Sequence, residues 1–177
     1  SIPNPGSPPS GAGNEFSTDF SISSVSFDEI LSGGPPKDGI PSIDEPQFST
    51  LDEAFGEFKD NEPVMALTVN DITKIYPIQI LMYHEIVNDE ISGKPISITY
   101  CPLCNTAIAF ERETKHGILD FGTTGRLRFS NLIMYDRQTE SWWQQATGKA
   151  IVGELTGQEL KMVPGQMLSM KAAAASY

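Results

Sequence analysis

The chain is short of the residues that build covalent or metal scaffolds: it holds two cysteines and two histidines in 177 residues. Two cysteines close at most one internal disulfide, so a disulfide-stapled miniprotein is excluded. One Cys-x-x-Cys pair also falls short of the two that mark a structural zinc site. No run approaches the ~20 apolar residues of a membrane-spanning helix. Basic residues are scarce as well: 12 Lys and Arg face 23 Asp and Glu, a net charge of −11. Such a chain repels phosphate backbones, which argues against nucleic acid as a partner. There is no internal repeat, and no long amphipathic helix pattern precedes Met167.

What is present suffices for a core. Hydrophobic residues make up 39% and charged residues 20% of the chain, which rules out wholesale disorder. Residues 1–62 carry twelve carboxylates against Lys37 and Lys59, so nearly all the net charge sits in the first third. The opening fifteen residues, SIPNPGSPPSGAGNE, cannot bury enough surface to offset backbone entropy. The composition predicts a flexible arm or linker over residues 1–26, of the kind left behind a cleaved leader. A single domain is expected over 27–177, with a β-rich core at about 63–163. An arm ordered on another surface is the alternative, and it would make the arm the route to a protein partner or larger assembly.

The element pattern predicts an α+β fold, predominantly antiparallel β-sheet with short helices. Residues 27–31 suit one helical turn, and Ser49 or Thr50 caps a short helix with acids in its first turn. Strands are predicted at 64–69 and 72–78 around the turn Asn70-Asp71, then a helical turn over 79–84. Residues 85–88 and 94–100 flank another hairpin. Residues 107–112 and 118–123 are expected to pair around Lys115-His116-Gly117. Phe121 to Arg126, with two glycines and two threonines, reads as a turn, and it lacks the spacing and Lys of a phosphate loop. Further strands fall at 132–136, 142–145 and 160–163, and residues 167–176 are helix-prone.

The chemistry centres on Tyr100-Cys101-Pro102-Leu103-Cys104-Asn105, directly after a strand in which Ile96 and Ile98 alternate with Ser97 and Thr99. Two thiolates three positions apart chelate one soft ion or close a small reducible disulfide, and Pro102 stiffens the turn between them. Four readings stay open: a soft metal such as Cu(I), dithiol redox, zinc completed by His84 and His116, and a disulfide or buried thiol pair serving stability alone. In the redox reading Cys101 is the nucleophile and Cys104 resolves. The alternation puts Cys101 on the polar side of the strand, at a strand end and away from the deep core. His84, in Met82-Tyr83-His84-Glu85, is a third metal ligand or a hydrogen-bonded core group. Met82 and Met134 offer thioethers suited to Cu(I), or simply fill the core. Asp136, Arg137, Trp142 and Trp143 line a polar pocket with aromatic walls, or form a hairpin turn with its Trp residues in the core.

The blocks ILSGGPPKDGIPSID, YHEIVND, ITYCPLCNTAIAF, LDFGTTGRLRFSNLIMYDRQTESWWQQ and GKAIVGELTG resemble those of the bacterial and archaeal domain-of-unknown-function family 3179, from about Phe27 to Val163. The resemblance implies an exported protein, periplasmic, cell-surface or extracellular, continuing beyond Tyr177. It maps motif positions onto His84, Cys101, Cys104, Asp136, Arg137, Trp142 and Trp143, and it implies selenocysteine at the position of Cys104 in some relatives. A weaker likeness joins residues 100–110 to the Trp-Cys-Ala-x-Asp block of organomercury lyases, which share a fold class with a periplasmic copper-handling lipoprotein family. Cys104 stands where the lyase carries its acid, so carbon–mercury cleavage lacks its proton donor here. The expectation is an exported accessory protein holding copper or another soft metal ion through Cys101, Cys104 and His84. A dithiol redox protein and a structural subunit of an extracellular or membrane-bound assembly are the alternatives.

Overall fold

The computed structural model describes every residue except Phe55. The sheets are antiparallel throughout. A three-stranded sheet combines β2 (Pro63–Val69), β3 (Ile72–Pro77) and β14 (Gly165–Ser169) in the order β14-β2-β3. A four-stranded sheet, β13-β6-β5-β4, uses β4 (Ile86–Ile91), β5 (Lys94–Cys101), β6 (Thr106–Glu111) and β13 (Met162–Val163). A five-stranded sheet, β1-β9-β10-β11-β12, uses β1 (Ile30–Ser32), β9 (Phe121–Arg128), β10 (Asn131–Asp136), β11 (Trp142–Gln144) and β12 (Lys149–Val152). A small ribbon pairs β7 (Glu113–Thr114) with β8 (Gly117–Ile118). The helices are short: α1 (Ala12–Glu15), α2 (Leu51–Ala54), α3 (Ile78–His84) and α4 (Met170–Ser176).

The period-2 alternation of strands sorts side chains between layers. On β5, Ile96, Ile98 and Tyr100 join Leu67, Tyr76 and Leu81 in a core under the three-stranded sheet and α3. Cys101, on the opposite face of β5, joins Leu132, Met134 and Trp143 in a second core against the five-stranded sheet. On β10, Ile133 and Tyr135 point the other way, into a third core. The four-stranded sheet is thus covered on both faces. A smaller cluster of Val64, Met170 and Ala173 closes the outer side of the three-stranded sheet under α4.

Two hairpin turns follow their sequence signals, whereas residues 107–112 and 118–123 do not pair as expected: β6 lies between β5 and β13, β9 lies between β1 and β10, and only the short β7–β8 ribbon forms around Lys115-His116. Asn70 and Asp71 both take positive φ, 48° and 64°, as the right-handed twist of a tight hairpin asks. Ser92 and Gly93 do the same between β4 and β5. Thr50 and Glu53 form a reciprocal capping box on α2, with Thr50 N–H donating to Glu53 Oε2 at 2.9 Å.

Residues 121–126 differ from the expected turn: they lie inside β9, one long strand with a register shift opposite Ile133 and Met134. Gly125 sits there at φ 68°, and a Cβ would meet Pro35 O at 1.9 Å. This glycine serves a bulge and a close backbone approach, which look like a turn in sequence. The actual turn, Phe129-Ser130, has positive φ at both residues without a glycine or asparagine to announce it. At the C-terminus, strand β14 takes residues 165–169, and Ser169 caps α4 by accepting from Ala172 N–H at 3.1 Å.

The first 26 residues also differ from a free linker. Ile2 N–H bonds Ser23 O, and Phe27 N–H bonds Pro5 O, each at 2.7 Å. Ala12, Phe16, Val25 and Phe27 pack on the outer face of the five-stranded sheet around Trp142. Arg126 clamps the segment by donating to both carboxylate oxygens of Glu15, at 2.7 and 3.0 Å, and to Ser10 O. Pro and Gly give this segment no core of its own, but four apolar anchors let it borrow one, at ~1.5–3 kcal/mol for each large side chain buried.

Candidate functional site

The turn after β5 carries the two thiols. Cys101 is the last residue of the strand and pairs with Thr106 at the start of β6. Residues 102–105 close the turn, with Asn105 in the left-handed region at φ 48° and its amide held by Tyr100 Oη at 2.9 Å. The two thiols lie close together, and both are free.

Their surroundings are unequal. Cys101 is 1% exposed and belongs to the buried cluster of Met134 and Trp143. Its thiol donates to Ser130 O at 3.6 Å. The sequence expectation of a solvent-side Cys101 is therefore corrected. The face parity holds, but that face of β5 meets the five-stranded sheet, and Ser97 and Thr99 are buried along it too. Cys104 is exposed. It receives a hydrogen bond from Asn131 Nδ2 at 3.3 Å.

Asn131 is itself fixed. Its Oδ1 accepts from Ala146 N–H at 2.9 Å, and its Nδ2 also donates to Gln145 Oε1 at 2.8 Å. Gln145 Nε2 donates in turn to Thr99 Oγ1 and Thr106 O, at 3.1 and 2.9 Å. With Oδ1 taken by a backbone donor, Nδ2 is the end that faces Cys104. This buried chain was missed in the sequence. Asn131 follows an unmarked turn, and Gln145 was visible only as part of the WWQQ block.

Burial pushes the Cys101 thiol up, and the neighbouring Cys104 adds to the rise. Burial acts against the Cys104 thiolate too, but donors from Cys101, Thr106 and Asn131 outweigh it and bring Cys104 below the usual thiol range. Charge in this pair therefore favours Cys104. Burial also pushes the carboxyl of Glu85, at the C-terminus of α3, up to about 7.

The other predicted residues separate into different places. His84 Nδ1 lies 2.8 Å from Pro41 O. Met82 is 54% exposed on α3, whereas Met134 is buried in the same apolar cluster as Cys101. Among the described residues no three His, Cys, Asp or Glu side chains converge as a metal site, so His84 is not brought to the thiols. His116 is exposed in its turn.

Asp136 is fully buried and accepts from Trp143 Nε1 at 2.8 Å and from Thr139 N–H at 2.6 Å. Arg137 reaches back to Asp44 Oδ2 and Ser42 Oγ, at 2.8 and 2.7 Å. Trp142 and Trp143 are neighbours on a strand and so enter opposite cores. These four residues tie the hairpin together: the polar groups of Asp136, Arg137 and Trp143 are occupied from within the chain, while the Trp142 Nε1–H is buried without an acceptor among the described residues.

The fold and the thiol pair define a β-rich protein with one exposed and one buried cysteine in a single tight turn. The family model described as a protein of unknown function (DUF3179) matches residues 37–177, and the chain belongs to that family. No curated protein matches the chain, and no solved structure does.

Proposed function

We propose that this domain exchanges thiols and disulfides, with Cys104 attacking and Cys101 resolving. The observation that supports this reading is the asymmetry of the pair: the exposed sulfur has a fixed amide donor that favours its thiolate, and the buried sulfur beside it is held as a thiol. The thiolate is the nucleophile in such chemistry. The roles are the reverse of those expected from the sequence.

Cys104 S⁻ attacks one sulfur of a partner disulfide, forms a mixed disulfide and releases the other sulfur as a thiolate. The Cys101 thiol gives its proton to that departing thiolate. Cys101 S⁻ then attacks Cys104 Sγ, releases the second partner sulfur as a thiolate that takes its proton from solvent, and leaves a Cys101–Cys104 disulfide. Two electrons pass from the pair to the partner. An exported setting, where disulfides form and persist, suits this chemistry.

Equilibration of the protein in glutathione buffers of graded potential, read by mass after alkylation, tests it. The expected result is a reversible two-electron transition that is absent from Cys104→Ser. A pair that stays reduced, or stays oxidised, at every poise overturns it.

A second reading, soft-metal binding, is favoured by Met134. Its thioether lies in the buried cluster of Cys101, and thiolate with thioether is a Cu(I) donor set. Titration of the reduced protein with Cu(I) against a competing chelator tests it. One equivalent retained by the wild type and lost in Cys104→Ser and Met134→Leu supports it, and no retention sinks it.

A further inference from the structure

Away from the thiols, a cleft of about 790 Å³ opens between β3, α3 and residues of 43–54 together with Glu57 and Phe58. Three features of it point to one kind of occupant. The first is a strand edge. Residues 71–77 line the cleft without a break. Successive residues of a strand face opposite ways, so an unbroken lining is made by the edge. Among the described residues β3 pairs only with β2, and no other hydrogen bond reaches the backbone of 72–77.

The second is an apolar surface beside that edge. Phe48, Ile72, Ile80, Met82 and Tyr83 are all exposed. Ile80 joins the cleft to the outer face of α3. Large apolar side chains gathered in this way mark an interaction site rather than scattered surface residues.

The third is charge. Glu45, Glu57 and Asp71 are exposed on the cleft wall, and none is in an ion pair. Lys74 is the only cation among the described lining residues. Its ammonium is spent on both oxygens of Asp89, at 2.9 and 3.0 Å, and on the face of Phe48. The cleft therefore repels anions and attracts cations.

The geometry points to an extended, basic segment of a partner protein as the occupant. It adds to β3 as a further strand, with apolar side chains on Phe48, Ile72 and Ile80 and Lys or Arg side chains facing the three carboxylates. Backbone bonds to the edge would supply affinity, and the alternating side chains would supply choice. Six residues of β3 accommodate a partner strand of about 20 Å. The N-terminal arm, read from composition as a flexible linker with docking to a partner as the alternative, is seated on its own sheet, and this cleft is a separate surface. The inference goes beyond the thiol reading and uses neither cysteine.

The test uses three fluorescein-labelled eight-residue peptides on the full chain. One alternates Val and Lys, one alternates Val and Glu, and one repeats the Val–Lys sequence with alternate backbone nitrogens methylated. Anisotropy should show the Val–Lys peptide binding at least tenfold tighter than each of the others. Amide exchange should slow at 72–77 on binding. The Glu45→Lys, Glu57→Lys, Asp71→Lys triple variant changes only exposed side chains and should reverse the preference between the first two peptides. Equal binding of the methylated peptide would show a sticky or purely ionic surface and overturn the proposal. Protection outside β3, or self-association of the chain through the cleft in place of peptide binding, would also overturn it. The methylated peptide and the exchange map use the wild type, so they decide the matter even where the triple variant fails to fold.

Discussion

Two turns carry the densest groups of reactive-looking residues, and they end in opposite states. At residues 136–143, Asp136 faces the Trp143 indole and Thr139, and Arg137 faces Asp44 and Ser42. The polar side-chain atoms of Asp136, Arg137 and Trp143 are answered from within the chain, and only the Trp142 Nε1–H is left without an acceptor among the described residues. At Cys101 and Cys104, one sulfur is buried and the other is open to solvent with a donor aimed at it. Residue type alone does not separate the two turns. The separation comes from whether partners inside the fold have already claimed the polar atoms.

The largest effects belong to the closed turn. Trp143→Ala removes a fully buried indole and should cost ~3–5 kcal/mol in urea unfolding. Asp136→Ala leaves the Trp143 N–H buried without an acceptor and should cost ~1–3 kcal/mol or more. Where these variants stay folded, Cys104 should alkylate at the wild-type rate. A changed rate in the folded variants would erase the distinction between the turns.

Within the thiol turn the two cysteines should differ. Cys101→Ser places a hydroxyl where a sulfur is 1% exposed and should cost ~1–3 kcal/mol. Cys104→Ser, on an exposed residue, should stay within ~0.5 kcal/mol of wild type. Equal costs would mean that the pair is symmetric, as a purely structural bridge requires.

Two carboxyls with large shifts shape the pH profile of stability. Glu85 is pushed up to about 7 by burial. Its protonated form is the one the fold prefers, so its contribution is full at acid pH and is lost as pH rises through 7. Glu15 is held down to about 2, first by Arg126 and also by the Lys37 N–H. Its contribution is present above the ordinary carboxyl range and is lost as pH falls towards 2. Urea midpoints across pH should therefore decline on both sides. Glu85→Gln should flatten the decline between about 4.5 and 7, and Glu15→Gln the decline between about 4.5 and 2. A profile unchanged by either variant would contradict the assignment.

The smallest effect is on Cys104 itself. Its alkylation rate should reach half its maximum below the ordinary thiol value of about 8.5. Asn131→Ala should move that midpoint up, because the Nδ2 donor is lost. An unmoved midpoint would make Asn131 a structural residue only.

Much of the fold was legible in the sequence. The β2–β3 and β4–β5 hairpins, the alternation along β5 and the cap of α2 follow from local chemistry. The rest depended on what lies across from a residue. Cys101 sits on the expected side of β5, but the sequence could not show that a second sheet covers that side. Gly125 reads as a turn because nothing local reveals Pro35 against it. The arm reads as free because its anchors, Phe16 above all, find their partners in Trp142 and Tyr135, more than a hundred residues away. The Asn131–Gln145–Thr99 chain is likewise a product of three strands meeting.

The most direct test of the central claim is to ask which sulfur attacks. Cys101→Ser and Cys104→Ser, each reduced and mixed with one equivalent of a model disulfide near neutral pH, are quenched in acid and read by mass. The account predicts that Cys101→Ser accumulates a stable mixed disulfide on Cys104 and that Cys104→Ser forms little or none. Faster adduct formation on Cys101 in the Cys104→Ser protein would contradict it.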